Sequence, residues 1–121
     1  MLVAIIGIKG NEISWLNRKE VRYGYHDTCV GDTESVKETG KRILELRPFP
    51  DYMTIRGPYI YSVEGEGIHS IDIFEVEKTK LADAVEFLNN RHVAFFGIPG
   101  YTFSVNVCLE ATEAMKMIGL G

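Results

Sequence analysis

The sequence predicts an α+β domain built on a split βαβ unit, an antiparallel four-stranded sheet with two helices on one face. Three observations point there. Residues 52–76 contain two apolar, β-rich runs joined at Glu64-Gly65-Glu66-Gly67, which is a hairpin signal. A helical period lies on each side of this hairpin, around Val36–Arg47 and Leu81–Leu88. Apolar runs at 2–8 and 101–109 then supply an outer strand at each end of the order strand, helix, strand, strand, helix, strand.

Composition bounds the problem. At 121 residues, 45% hydrophobic and 25% charged, the chain has the size and balance of one globular domain and not of a disordered tail. The net charge of −4, with Lys and Arg scattered, leaves no electrostatic footprint for nucleic acid. The short basic cluster Arg18, Lys19 and Arg22 is interrupted by Glu20 and reads as a solvated face. No run approaches the roughly 20 apolar residues of a membrane span. The first apolar run has no basic leader, so a cytoplasmic protein without a membrane partner is expected, with Cys29 and Cys108 as reduced thiols.

In chain order, LVAIIGI at 2–8 is continuously apolar and β-branched and reads as a strand buried on both faces. Residues 11–31 show no clear period. Tyr23 to Asp27 is expected to be an irregular loop within an insertion between strand 1 and helix 1. Asp32 or Thr33 caps the first helix, with Val36, Thr39 or Gly40, Ile43, Leu44 and Arg47 on its inner stripe. Gly40 inside a helix costs about 1 kcal/mol relative to Ala, so close packing on the sheet is the expected reason for it. Pro48 and Pro50 end that helix.

The hairpin follows, with Arg56-Gly57-Pro58 marking a bulge or an edge because proline has no N–H for a ladder. Leu81, Ala84, Val85 and Leu88 form the second helical stripe, with Asn89-Asn90 as its expected end. Pro99-Gly100 makes a turn into the most regular strand, where Tyr101, Phe103, Val105, Val107 and Leu109 face one side. Thr102, Ser104, Asn106 and Cys108 face the other. A short helical signal runs through Ala114, Met115 and Ile118.

The hairpin is apolar at both parities, with Tyr59, Tyr61 and Val63 on one and Ile60, Phe74 and Val76 on the other. A half-solvated sheet would be polar on its outer face, so that face is expected to pair with a second copy in a two-fold homodimer.

On these residues the chain resembles the dimeric α/β-barrel superfamily of ferredoxin-like proteins, which pair sheets face to face. The resemblance is carried by the LVAIIGI strand, the hairpin from Gly57-Pro58-Tyr59 to Phe74, and IPGYTFSVNV from Ile98 to Val107. It covers nearly the whole chain except 11–31, and the ending is similar to small uncharacterised members. It implies a ferredoxin-like βαββαβ sandwich with a pocket between helices and sheet. Members include cofactor-free monooxygenases, haem enzymes, isomerases and effector-binding regulator domains, so the chemistry stays open. The haem enzymes use an axial histidine, but neither His69 nor His92 sits in a pattern that carries that role over, and no cofactor is expected.

Candidate chemistry is sparse. His69, Ser70 and Asp72 share one strand, where the odd spacing puts His69 and Asp72 on opposite faces and rules out a pair. His69 is the candidate acid/base group, with a hydrogen-bonded structural histidine as the plainer alternative. His26-x-x-Cys29 is too little for a zinc site, and no metal is expected. Cys108 has no visible base or helix N-terminus to activate it. The Gly65-x-Gly67 pair is a hairpin turn and not a phosphate loop, because no helix follows. Trp15, Tyr23, Tyr25, His26, Tyr59, Tyr61 and His69 are the candidate ligand-binding residues, with Phe95 and Phe96 as further wall and core packing as the alternative.

The leading expectation is a small homodimer that binds an apolar or aromatic small molecule. An enzyme of the cofactor-free monooxygenase or isomerase kind, using His69, is the second. A structural or interaction module is the third. A pocket with convergent polar groups favours the enzyme, one lined by aromatics alone favours binding, and a filled core favours the module.

Overall fold

The computed structural model describes residues 20–120. Within them the chain runs β1 (Val21–Val30), α1 (Thr33–Ile43), β2 (Thr54–Val63) and β3 (Gly67–Glu77). A 3-10 turn at Lys78–Lys80 leads into α2 (Leu81–Val93), β4 (Thr102–Cys108) and α3 (Ala111–Met117). The strands form a single four-stranded sheet in the spatial order β2-β3-β1-β4, and every adjacent pair is antiparallel. The result is an α+β architecture that fits a ferredoxin-like fold in general. No helix among the described residues is long and apolar enough to cross a membrane.

The largest departure from expectation is β1. Tyr23–Asp27, expected to form an irregular loop, lies in the middle of a ten-residue strand that pairs with both β3 and β4. The inward parity of this strand carries Gly24, His26, Thr28 and Val30, of which Gly24, His26 and Val30 are buried. Its tyrosines occupy the outward parity. With polar and small residues inside and aromatics outside, the strand shows no apolar alternation to recognise. The strand expected at 2–8 lies outside the described residues.

Helix α1 is capped as expected: Oδ1 of Asp32 accepts from the Ser35 backbone N–H at 2.8 Å. Its buried face, however, is Ser35 and Thr39, while Val36 and Ile43 are 37% and 49% exposed. Both inner hydroxyls are satisfied, Ser35 donating to the Pro99 carbonyl at 2.7 Å and Thr39 to the Ser35 carbonyl at 2.7 Å. Gly40 does not pack closely on the sheet; it is exposed, and an added Cβ would meet nothing within 4 Å. Gly40→Ala is therefore expected to stabilise the protein by about 0.5–1 kcal/mol, read as a higher urea midpoint at unchanged m.

The hairpin forms where predicted, and the register shifts between Arg56 and Tyr59, placing a bulge on edge strand β2. Helix α2 runs past Asn89-Asn90 to Val93, because Nδ2 of Asn89 folds back onto the Val85 carbonyl at 2.9 Å and sits comfortably inside the helix. The main core joins Met53, Phe74, Val76, Ala84 and Leu88, with Val105 of β4 packed against them. Val105 thus faces the helices, while Thr102, Ser104 and Asn106 share the opposite parity, as expected. Helix α3 is tied to β1 by Arg22, whose Nη1 lies 3.0 Å from Oε1 of Glu113.

Candidate active site between helices and sheet

A cavity of about 360 Å³ lies between α1, α2 and the sheet. Its apolar wall comes mainly from Ile43, Leu46, Phe49, Ile55 and Phe95, and its polar groups include His26, Asp72, Arg91, His92 and Tyr101. Thr39 of α1 and His92 of α2 both border it with His26 and Asp72, so the two helices cover the same sheet face.

The register creates the first pair. His26 on β1 stands directly opposite Asp72 on β3, so the two side chains rise side by side from the inner face. Nε2 of His26 lies 3.0 Å from Oδ2 of Asp72. The approach is off the ring N–H direction, and Nε2 is buried without an aligned hydrogen-bond partner among the described residues. Helix α2 brings His92 to the other side of the ring, where its Nε2 is 3.1 Å from Nδ1 of His26. Tyr101, just ahead of β4, closes the line with its hydroxyl 2.5 Å from Nδ1 of His92. His92 is 1% exposed and stacks on Phe103 with centroids 4.2 Å apart.

Burial keeps His92 and Tyr101 neutral. It pushes the His92 pKa down to about 4, helped by neighbouring His26 and Arg91 and opposed by Asp72. Burial also pushes Tyr101 up, so its hydroxyl stays neutral. A neutral Tyr101 can donate to Nδ1 of His92, and the tautomers that follow belong to that arrangement. His92 then carries its one proton on Nε2 and donates to Nδ1 of His26, leaving the His26 proton on Nε2, toward the carboxylate. His26, His92 and Tyr101 thus form a hydrogen-bonded line along the cavity wall, with the Asp72 carboxylate beside its His26 end. Arg91 adds positive charge nearby, its guanidinium 4.1 Å from the Phe49 ring centre and Nη1 donating to the Arg47 carbonyl at 2.6 Å.

A second polar cluster occupies the opposite, open face. His69 stands between Cys29 on β1 and Tyr61 on β2 in the cross-strand register. Its Nδ1 is 3.1 Å from Oδ1 of Asp27 and its Nε2 is 2.9 Å from Oε1 of Glu66. Tyr61 donates to Oδ2 of Asp27 at 2.7 Å and stacks on His69 at 4.9 Å. The hydrogen bond to Asp27, with Glu66 on the other nitrogen, raises the His69 pKa. The same carboxylate pushes Tyr61 up to about 12.

Of the described candidate ligand-binding residues, His26 alone borders the cavity. His69 and Tyr61 belong to the open-face cluster, and Tyr23, Tyr25 and Tyr59 share that parity, so they do not join His26. Trp15 lies outside the described residues. Phe95 lines the cavity, whereas Phe96 is 61% exposed. His69 and Asp72 do lie on opposite faces. By the same parity His26 and Cys29 diverge, so His-x-x-Cys is no ligand pair. The sequence reading missed His92, Tyr101 and Asp72 as site residues. His92 had a signal: Ala84, Leu88 and His92 are all buried at i, i+4 and i+8 of α2, continuing the apolar stripe past the asparagines.

Comparison of the chain with protein families, with curated proteins and with solved structures finds no match.

Proposed function

We propose that the protein binds a small, largely apolar molecule in the helix–sheet cavity, holding its polar group against His26. The observation that carries this reading is Nε2 of His26, buried at the cavity wall and lacking an aligned partner among the described residues. A volume of about 360 Å³ sits at the small end of ligand sites, suited to a one- or two-ring molecule. The aromatic walls favour a flat apolar body, and one hydroxyl or carbonyl would satisfy His26.

Native mass spectrometry of the purified full chain is expected to reveal such a bound species. His26→Asn should weaken its binding by about tenfold to a hundredfold, in line with losing a strong hydrogen bond. A bound species whose affinity is indifferent to His26→Asn would sink the assignment.

A second reading is proton-transfer catalysis of the isomerase kind, with His26 in place of His69 as the acid/base group. It is favoured by the hydrogen-bonded line His26–His92–Tyr101, which ends at the cavity with the Asp72 carboxylate 3.0 Å from Nε2 of His26. Ligand C–H exchange with deuterated water, followed by NMR, separates this from simple binding. The reading requires exchange to vanish in His26→Asn and persist in His69→Asn.

The finer fold assignment, a ferredoxin-like βαββαβ sandwich, is supported by a chain order in which β3 lies between β1 and β2 while β4 flanks β1. Pairing of open faces in a homodimeric α/β barrel is supported by Tyr59, Tyr61 and Ile73, which are 54%, 39% and 39% exposed on that side. Sedimentation at micromolar concentration tests it, and a monomer would end it.

A further inference from the structure

We propose that Cys29, Glu66 and His69 form a binding site for one divalent transition-metal ion of borderline softness, zinc foremost. The site lies on the open face, across the sheet from the cavity.

The donors converge from separate parts of the chain. Cys29 near the end of β1 and His69 near the start of β3 are directly opposed in an antiparallel pair, which sets their side chains next to each other. Glu66 comes from the turn just before β3. One donor atom of each residue, a sulfur, a ring nitrogen and a carboxylate oxygen, lies within 4.8 Å of the other two. Around a tetrahedral zinc such atoms sit roughly 3.3–3.8 Å apart, given bonds of about 2.0–2.3 Å. Nε2 of His69 and Oε1 of Glu66 are already 2.9 Å apart, so an ion would spread this pair slightly and draw the Cys29 sulfur in by up to about 1 Å.

A second observation concerns the outer shell. A metal-binding histidine nearly always donates its other ring N–H to a carboxylate, a backbone carbonyl or water, which fixes tautomer and orientation. Nδ1 of His69 faces Oδ1 of Asp27 at 3.1 Å, Tyr61 holds the other Asp27 oxygen at 2.7 Å, and the Tyr61 ring covers the imidazole. Nε2 is thereby aimed at Glu66, 2.9 Å away. The two atoms that now share a proton are two that would share the ion.

The backbone fixes this arrangement. A Cβ at Gly67, where φ is +125°, would fall 2.3 Å from the Val30 carbonyl oxygen and 2.8 Å from Cα of Gly31. Only glycine lets the turn that carries Glu66 press this closely against the end of β1. The Cys29 thiol already leans on the Glu66 carbonyl at 3.6 Å.

The binding step involves no redox change. Bonds form from the ion to Sγ, Nε2 and a Glu66 oxygen. The thiol proton leaves, as does any proton on Nε2, and Nδ1–H stays on Asp27. Sulfur, nitrogen and oxygen donors together suit zinc, and three protein ligands leave a fourth position for water or a substrate atom.

The test is an anaerobic cobalt(II) titration of the reduced full chain. One equivalent is expected to produce a saturable thiolate-to-cobalt charge-transfer band in the near ultraviolet, with zinc displacing it. Cys29→Ser should abolish the band, and Cys108→Ser should leave it intact. His69→Ala should weaken binding at least tenfold, and Asp27→Asn should weaken it about tenfold to a hundredfold while keeping the band. Circular dichroism checks each fold, with His69→Gln standing in if His69→Ala is unfolded. No saturable band, a band that survives Cys29→Ser, or unchanged affinity in both His69 variants would overturn the proposal.

Discussion

Phe74→Ala is expected to cost about 3–5 kcal/mol, a large share of the about 5–15 kcal/mol that holds a domain of this size together. Phe74 is 0% exposed at the centre of β3, cross-strand from Gly24 on β1 and Ile55 on β2. Its ring leans over the space a β1 side chain would occupy: a Cβ at Gly24 would fall 2.4 Å from Cζ of Phe74 and 2.3 Å from the Asn106 carbonyl oxygen. Removing the ring therefore leaves a hole that β1 has no side chain to fill.

Gly24→Ala is expected to fail in the opposite way, by about 1–3 kcal/mol or more of overpacking. The two obstacles differ in kind. The ring can be shortened, but the Asn106 carbonyl belongs to the β4 backbone. Phe74→Leu in the Gly24→Ala background should thus reduce the penalty without erasing it. Urea denaturation of the four species measures this as a double-mutant cycle. Complete rescue would show that the β4 backbone yields.

The second large expected effect is acid sensitivity through His92. Its folded pKa is pushed from 6.5 down to about 4, chiefly by burial. Between those values the unfolded chain binds a proton that the folded chain refuses, so stability falls as pH drops from about 6.5 to about 4. At about 1.4 kcal/mol per unit, the full effect is roughly 3 kcal/mol, with about 2 kcal/mol lost by pH 5. His69 works against this slope. Its raised folded pKa contributes stability that is fully present below its unfolded value and fades as pH rises through the folded one.

The two histidines sit on opposite faces, so His92→Gln should leave the His69 contribution in place. The difference between wild type and His92→Gln in urea midpoints at pH 7 and pH 5 isolates His92. The variant is expected to lose most of the acid destabilisation. An unchanged pH slope would mean that the buried ring accepts a proton as readily as an exposed one.

Legibility divides along the same lines. The hairpin, the start of α2, the Asp32 cap and β4 are local features, and each announces itself through apolar periodicity or capping chemistry. Their existence was readable because the inward side chains there are apolar. Strand β1 fails that test, since its inward residues are glycine, histidine, threonine and valine. Helix α1 was recognised with Thr39 and Ile43 on its inner side, but it buries Ser35 where Val36 and Leu44 were expected, and these are 37% and 86% exposed.

What the sequence by itself determined is therefore the α+β class, most element boundaries, and the parity that separates His69 from Asp72. What only the tertiary structure decided is which polar groups meet. His26 and His92 are 66 residues apart, and they touch because α2 lies across the β1 face that carries Asp72's neighbour. Cys29 meets His69 only through a cross-strand register. Both constellations depend on strand pairing and helix placement, and these follow from burial of Phe74, Val76 and Leu88 far more than from any preference of the polar residues. Periodicity reports how a segment meets the core. Which polar atoms then face one another is set by the packing of the whole domain.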